Sequence, residues 1–385
     1  MKIGINLISL RVNQHTGVEK YTRNVVGLLK AQKNQTFLIA LRSKATLTKT
    51  LGVKFTSNNP LTTLSQWSVN STSLRIPLEM IILSLRMFTL DRILSINNFG
   101  PLFGKRGQKR FVIIHDLWFL DKSYNGSVLL KYLFSLLIKY LFYLLIRIQL
   151  LSTDHIITVS QFSKKRIINL LSVNPEIITV LPNCLSLEDL NTEYPIDRDS
   201  ILNHVKLNLN KQYFLLLGSD RANKNIQRAL EGYVKYCELT GTPYELILVG
   251  PFSTSFIDLN VKKFDKNILD RITIAGYVSD EKYKSFIKYS SGIVFPSLYE
   301  GFGIPVLESI AFNKKILISK GTVCEEIAGE FGISVDGNCV ESISMGYLLL
   351  QNQKPKTKHS NHKSNLYFDC SSIGNQLQEC LFGPD

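Results

Sequence analysis

In the stretch FPSLYEGFGIPVLESIAF, residues 295–312, Glu300 and Glu308 stand eight positions apart, on either side of a Gly-Phe-Gly turn that runs into Pro305. An ionised carboxylate only accepts hydrogen bonds, so its natural targets on a small ligand are hydroxyls. Gly301 and Gly303 carry no Cβ and let backbone N–H groups come close to a ligand, and the N-terminus of a following helix favours an anion such as phosphate. Pro305 suits the first position of that helix, and Glu308 would then fall in its first turn, where the helix dipole favours a carboxylate. This local reason covers Glu308 and leaves Glu300 unexplained. A ligand with hydroxyls at both ends and phosphates between them would meet all these groups, and a nucleotide-sugar has that layout.

The elements that must position these residues follow from the hydrophobic pattern. Apolar strand-like runs alternate with helix-length amphipathic segments along the whole chain, the pattern of parallel α/β domains. Strands are expected at 2–8, 36–42, 110–115, 155–159 and 177–181, and again at 213–218, 244–249, 272–275, 292–295 and 315–319. At 385 residues the chain exceeds the size at which one core keeps growing, so two doubly wound domains are expected. The polar stretch at 187–203 reads as the linker, and 351–365 as a loop before a last helix around 373–381. In an open α/β sheet the ligand crevice lies outside the carboxyl ends of the strands, and Glu300 sits on that rim.

The start, MKIGINLISL, reads as a first strand and not as a secretory signal. Six scattered cysteines without CxxC pairs fit reduced cytosolic thiols better than disulfides or a zinc site, and the six dispersed histidines suggest no metal cluster. The DxD triplet Asp197–Asp199 lies in the expected linker and reads as a chance occurrence ahead of a metal site. The net charge of +14 is uneven: residues 1–190 carry 24 Lys and Arg against 9 Asp and Glu, the remainder 21 against 22. An anionic partner for the first half is expected, a membrane surface or a nucleic acid. No nucleic-acid motif or aromatic-basic platform is found, and the charge falls beside two greasy segments, 74–96 and 128–151. In the second, Lys131, Lys139 and Arg147 recur every eight residues and spread over about 160° of a helix, leaving the rest Leu, Ile, Phe and Tyr. Three cations make a membrane-spanning role costly, which leaves two readings open: a helix lying in the membrane interface, or a core helix with a basic rim.

The 295–312 stretch resembles the E-x7-E signature of retaining glycosyltransferase family 4. Its lead-in AGYVSDEKYKSFIKYSSGIVFPS and lead-out KILISKGTVCEEIAGEFGISVD are similar to the same family, as are FLLLGSDRANKNIQRALEGYVKY, HTGVEKYTRNVVGLL, HDLWF, ITVSQFSKKRI and VLPNCL. These motifs cover most of the chain, apart from the greasy segments and the lysine-rich stretch near the end. The resemblance implies a GT-B architecture, two Rossmann-like doubly wound domains facing a cleft: an acceptor-side domain at 1–190, a nucleotide-sugar domain at 191–365, and a last helix within 366–385 packing back toward the first domain.

Residue by residue, the resemblance implies that Glu300 binds donor-sugar hydroxyls and Glu308 the ribose hydroxyls, with the backbone of Phe302 and Gly303 facing sugar and phosphates. Gly218, Ser219, Arg221, Tyr277, Val278, Gly301 and Ile304 complete the implied donor site. Lys224 would neutralise the departing diphosphate, a role that also stands on its own, because a fixed cation stabilises charge that develops as the glycosidic bond breaks. His115, at a strand end, is implied to contact the transferring sugar, with Gly17 and Asp116 near the phosphates and acceptor. The catalytic set is thus His115, Lys224 and Glu300, with no metal and no cofactor, the nucleotide-sugar being a substrate. Asn223 stands where the family usually has arginine, which leaves either Arg221 reaching in, the expected case, or Lys224 working with helix N-terminal amides alone. Cys184 replaces a common glycine and reads as a buried thiol, and Ser160 reads as a helix cap.

With no opposed pair of carboxylates in view, front-face transfer with retention is expected, the leaving phosphate oxygen helping to take the acceptor proton. The expected function is transfer of a sugar, mannose from GDP-mannose among the candidates, to a saccharide acceptor, lipid-linked, in O-antigen, capsule or exopolysaccharide synthesis. The expected location is cytoplasmic, peripheral on the inner face of the plasma membrane. A nucleotide-sugar epimerase of the same shape and a basic nucleic-acid-binding protein are the rival readings.

Overall fold

The computed structural model describes residues 2–7, 17–30, 35–40, 61–63, 80–85, 87–117, 120, 129–185, 197–204, 211–352 and 370–383. The chain divides into two units, one of Met1–Cys184 with Asp369–Asp385 and the other of Leu185–Phe368. The linker expected at 187–203 lies outside the described residues up to 196, and its end is helical (Arg198–His204), with the DxD residue Asp197 accepting from Ser200 N–H at 2.7 Å as a helix cap. The loop expected at 351–365 lies outside the described residues from 353 onward, the helix before it running to Asn352.

The first unit holds a seven-stranded parallel sheet in the order β3-β2-β1-β4-β5-β6-β7. Its strands are β1 (Lys2–Asn6), β2 (Gln35–Ala40), β3 (Leu61–Thr63), β4 (Arg92–Ser95), β5 (Lys109–Ile114), β6 (His155–Thr158) and β7 (Ile178–Val180). Helices α1 (Gly17–Lys30), α2 (Leu129–Leu150) and α3 (Gln161–Leu171) connect them. Ser160 caps α3, its hydroxyl accepting from Ser163 N–H at 3.0 Å. The second unit holds a six-stranded parallel sheet, β10-β9-β8-β11-β12-β13, built from β8 (Tyr213–Leu217), β9 (Glu245–Val249), β10 (Ile272–Gly276), β11 (Gly292–Phe295), β12 (Ile316–Ser319) and β13 (Gly332–Val335). Every residue of β8, β9, β11 and β12 is buried, as expected of parallel strands covered on both faces.

Both sheets reverse direction at their first strand. Counted within each unit the order runs 3-2-1-4-5-6, with a seventh strand at the far edge of the first sheet, so the switch points lie between β1 and β4 and between β8 and β11. Three strands escape the hydrophobic pattern: β3, β13 and the central β4. β4 lies inside the greasy 74–96 run, which is not one segment: it divides into a helical turn at 80–85 and a strand paired with both β1 and β5.

In the second unit, helices α4 (Ile226–Leu239) and α5 (Val340–Asn352) pack together, and Tyr233, Tyr236 and Tyr347 gather around Phe214, with ring centroids 5.5 Å apart for Tyr236 and Tyr347. In the first unit, Ile146 of α2 joins Val112, Ile114, Ile156 and Ile167 in the core. The last helix, α6 (Cys370–Phe382), belongs to the first unit, burying Ile373, Leu377 and Leu381. Cys184 and Cys370 form a disulfide with Cα atoms 5.5 Å apart, which corrects the reading of Cys184 as a plain thiol and of all six cysteines as reduced. The partners stand 186 residues apart and only the docking of α6 brings them together, so their spacing carries no sign of the bond.

Candidate active site

Three loops at the carboxyl edge of the second sheet carry the residues expected of the donor site, two of them flanking its switch point. The first follows β8 and carries Gly218, Ser219, Arg221 and Lys224. The second follows β11 and leads through Ser297 and Glu300 into helix α7 (Ile304–Ala311). The third, 277–279 after β10, precedes helix α8 (Asp280–Tyr289). Gly218 leaves room at the rim: a Cβ there would sit 2.5 Å from Ile226, and a Cβ on Gly250 would lie 1.7 Å from the Gly218 carbonyl oxygen. The close approach of these two backbones therefore requires glycine at Gly250, a residue the sequence reading did not single out.

Lys224 and Glu300, 76 residues apart, meet as an ion pair, Nζ to Oε1 at 2.6 Å, with side chains 21% and 15% exposed. Ser297, fully buried, places its hydroxyl 2.6 Å from the same Oε1, the shortest of its three acceptor contacts, so its single proton points at the carboxylate. Lys224 Nζ also lies 5.1 Å from the centre of the Phe295 ring. Glu300 is thereby held in one orientation at the strand rim by a cation and a hydroxyl.

Asn223 occupies no vacant arginine slot. Its side chain donates to the Tyr299 carbonyl at 3.0 Å, while its own carbonyl accepts from Leu298 N–H at 2.8 Å and faces the Ser297 hydroxyl at 2.9 Å. Asn225, in the left-handed region at φ 57°, donates to the carbonyls of Pro296 and Gly337 at 3.2 and 2.6 Å. Two consecutive loops are thus stitched together by amide side chains. Arg221 is exposed at the start of the same turn. Ser297, Asn225 and Gly250 went unnoticed in sequence; the signal available was a small residue just after a buried strand for Ser297 and Gly250, and an amide just before a helix for Asn225.

Gly303 caps α7 at φ 91°, and a Cβ there would come within 3.2 Å of the Cys324 sulfur, so glycine is required for both backbone and space. Burial pushes the Cys324 thiol well above its usual pKa, which keeps it neutral below Gly303. The helix begins at Ile304, with Pro305 second and Glu308 fifth. Glu308 therefore stands in the second turn, correcting the expectation of first-turn placement, and the dipole reason for it falls away. It is buried at 4% exposure, and its Oε2 accepts from the Tyr283 hydroxyl at 2.7 Å. Phe302 is buried, Gly301 and Ile304 are half-buried, and Tyr277 is exposed beside the half-buried Val278.

In the first unit, His115 follows β5 and is buried at 8% exposure. Its backbone N–H donates to Asn98 Oδ1 at 3.0 Å, its Nε2 lies 2.7 Å from the Ile96 carbonyl oxygen, and Tyr21 meets the ring edge-on at 5.1 Å. A carbonyl only accepts, so Nε2 carries the proton and Nδ1 the lone pair. Burial lowers the pKa to about 4, which leaves the imidazole neutral near pH 7. Asp116, next in the chain, is half-buried, and its carbonyl accepts from Asn98 Nδ2 at 3.0 Å. Gly17 opens α1, at the end of the β1–α1 connection beside the switch point of this sheet. Among the described residues no group of three or more His, Cys, Asp or Glu is placed to hold a metal ion.

Helix α2 turns out to serve two faces. Leu145, Ile146 and Gln149 are buried, and Gln149 Oε1 accepts from Gly100 N–H at 2.8 Å. The opposite face exposes Leu137, Tyr140, Leu141, Leu144 and Ile148, with Leu137 and Tyr140 each 64% exposed. At 100° per residue these five fall within an arc of about 100°. Arg147 is exposed and its guanidinium donates to the Leu171 carbonyl; the Lys131 side chain lies outside the described residues. No helix among the described residues is long and apolar enough to cross a membrane.

Two family profiles together match most of the chain: Glycosyltransferase Family 4 over residues 15–189 and Glycosyl transferases group 1 over 197–361. Among curated proteins, the O-antigen chain mannosyltransferase B of Escherichia coli is 31% identical over 191 residues, 49% of this chain and 49% of that protein. The O-antigen chain mannosyltransferase RfbU of Salmonella typhimurium is 27% identical over 173 residues, 45% of this chain and 44% of that one. The matched stretch spans about half the length of these relatives. Among solved structures, WaaG, a glycosyltransferase involved in lipopolysaccharide biosynthesis, superposes with a TM-score of 0.73 at 14% identity, covering 99% of this chain and 100% of that one. At that identity the likeness establishes the fold, GT-B, with two parallel α/β sheets.

Proposed function

Given that the chain belongs to the family 4 glycosyltransferases, we propose that it transfers a sugar from a nucleotide-sugar to a saccharide acceptor with retention of configuration and without a metal ion. The observation that carries this reading is the Lys224–Glu300 pair, held by Ser297 at the switch point of the second sheet. There a ligand would meet, within one loop system, a carboxylate for sugar hydroxyls, a cation for the departing diphosphate, and the amides around Gly303. Breaking the glycosidic bond adds one negative charge to the two already on the diphosphate, and Lys224 supplies fixed positive charge without proton bookkeeping. His115, neutral and with its Nδ1 lone pair available to a hydroxyl, fits orientation of a sugar better than proton abstraction, since a base with pKa near 4 is weak at pH 7.

The mannosyltransferase relatives make GDP-mannose the first donor to test and a lipid-linked O-antigen saccharide the first acceptor. The test is incubation with a panel of GDP-, UDP-, ADP- and dTDP-sugars, with and without an acceptor, followed by anomeric analysis of the product. Transfer with retention in EDTA supports the reading. Inversion, a chelator-sensitive reaction, or epimerisation of the donor alone overturns it.

The acceptor side is proposed to work against an anionic membrane surface, peripherally, on the cytoplasmic face. The apolar stripe on α2 and the excess of Lys and Arg in the first half support this, because apolar insertion and attraction to anionic headgroups add. Replacing Leu137, Tyr140 and Leu144 together by serine should cut co-sedimentation with phosphatidylglycerol-containing vesicles at least tenfold while donor turnover in solution is retained; undiminished sedimentation rejects the membrane assignment.

A further inference from the structure

Glu308 is a buried carboxylate that stands fifth in α7. The structure supplies a partner from another element: Tyr283, the fourth residue of α8, reaches across 25 positions of sequence to place its hydroxyl 2.7 Å from Glu308 Oε2. We propose that Tyr283 is a positioning residue for recognition of the donor ribose, setting the orientation of the Glu308 carboxylate that accepts from the ribose hydroxyls. This rests on the nucleotide-sugar reading given above.

The geometry gives the pair one direction. Glu308 can only accept while ionised, so Tyr283 is the donor, and the tyrosine ring is half-buried with its hydroxyl end turned inside. Burial, and then the neighbouring negative charge, hold the phenol well above its usual pKa, so the hydroxyl keeps its proton throughout the physiological range. Tyr283 therefore cannot act as a base. A carboxylate has about four acceptor positions on its two oxygens. A hydroxyl held on a neighbouring helix restricts rotation of the group, so the carboxylate is directional before any ligand arrives. Pre-ordering of this kind raises affinity by removing the cost of ordering on binding. The device differs from that at Glu300, where a lysine and a serine do the holding.

Tyr283→Phe removes one oxygen and keeps the ring. The probes are GDP and UDP and their 2′,3′-dideoxy counterparts, measured by calorimetry on the full chain. In the unaltered protein the better nucleotide is expected to bind at least tenfold tighter than its dideoxy form. Tyr283→Phe is expected to weaken the ribonucleotide by about five- to twentyfold and the dideoxy form by less than twofold. In a Glu308→Ala background, where no side-chain acceptor remains for the Tyr283 hydroxyl, the same change should have no further effect on either. Equal weakening of both probes, or no weakening of the ribonucleotide, overturns the positioning role. If the unaltered protein binds neither nucleotide, or binds ribose and dideoxyribose forms alike, the underlying reading of Glu308 fails and takes this proposal with it.

Discussion

The two sheets share the strand order 3-2-1-4-5-6, to which the first adds a seventh strand, yet their rims are furnished in opposite ways. The second unit puts charge at its switch point and then restrains it: Glu300 by Lys224 and Ser297, Glu308 by Tyr283. The first unit puts a neutral, buried histidine at a strand end and keeps its distinctive chemistry on an outer helix, where apolar side chains face outward. Topology thus fixes where a site can be, while the loop residues decide whether it recognises hydroxyls and phosphates or a less polar partner.

The difference is broken most directly at the charged rim. Lys224→Ala should lower turnover by about a hundred- to a thousandfold, the scale set by loss of one preorganised electrostatic group. Glu300→Gln should do the same at little cost in stability, since the amide oxygen can still accept from Ser297. Steady-state kinetics with the donor found in the panel measure both. Near-normal turnover in either variant would remove charge as the distinguishing property of the second unit.

The buried imidazole of the first unit gives a smaller effect, read through pH. Its native pKa is about 4, while an unfolded histidine titrates near 6.5. Between those values the unfolded chain binds a proton that the native chain does not, so stability falls as pH drops from 6.5 toward 4, and above 6.5 the group adds no slope. The full swing is on the order of 3 kcal/mol. Both tryptophans, Trp67 and Trp118, lie in the span of the first unit, so urea unfolding followed by their fluorescence reports on that unit. His115→Asn should flatten the acid slope relative to the unaltered chain; an unchanged slope would mean that other groups carry it.

Sequence showed most of the architecture because parallel strands such as Tyr213–Leu217 and Gly292–Phe295 are continuous apolar runs bounded by polar turns. It hid β4 because Arg92–Ser95 is embedded in a longer greasy run, where period and length cannot separate strand from helix. Glu300 was legible as a charge that local structure did not explain, and Glu308 and Lys224 through the family resemblance; the structure brings Lys224 and Glu300 together. Their supports were not legible. Ser297 and Tyr283 are ordinary residues of a strand end and a helix, and their value arises only when folding sets them 2.6 and 2.7 Å from carboxylates 3 and 25 positions away. The Cys184–Cys370 bond was hidden for the same reason, its partners meeting only through the docking of α6.

Asn223 gives the smallest and most local test. Read against the family it looked like a missing arginine, whereas in the fold its amide and carbonyl tie the β8 loop to the 297–300 loop through Tyr299, Leu298 and Ser297. Asn223→Ala removes one donor from a half-buried carbonyl, which should cost about 1 kcal/mol, and leaves the backbone contacts able to form. The expected signature is faster hydrogen exchange at the Leu298 amide and a few-fold fall in turnover, with the tryptophan-detected unfolding of the first unit unmoved. Asn223→Asp, equal in size and without the donor, should behave as alanine does. If Asn223→Arg instead raised turnover, the position would be an electrostatic one after all, and the restraint seen at Glu300 would rest on Ser297 and Lys224 without a bridge between their loops.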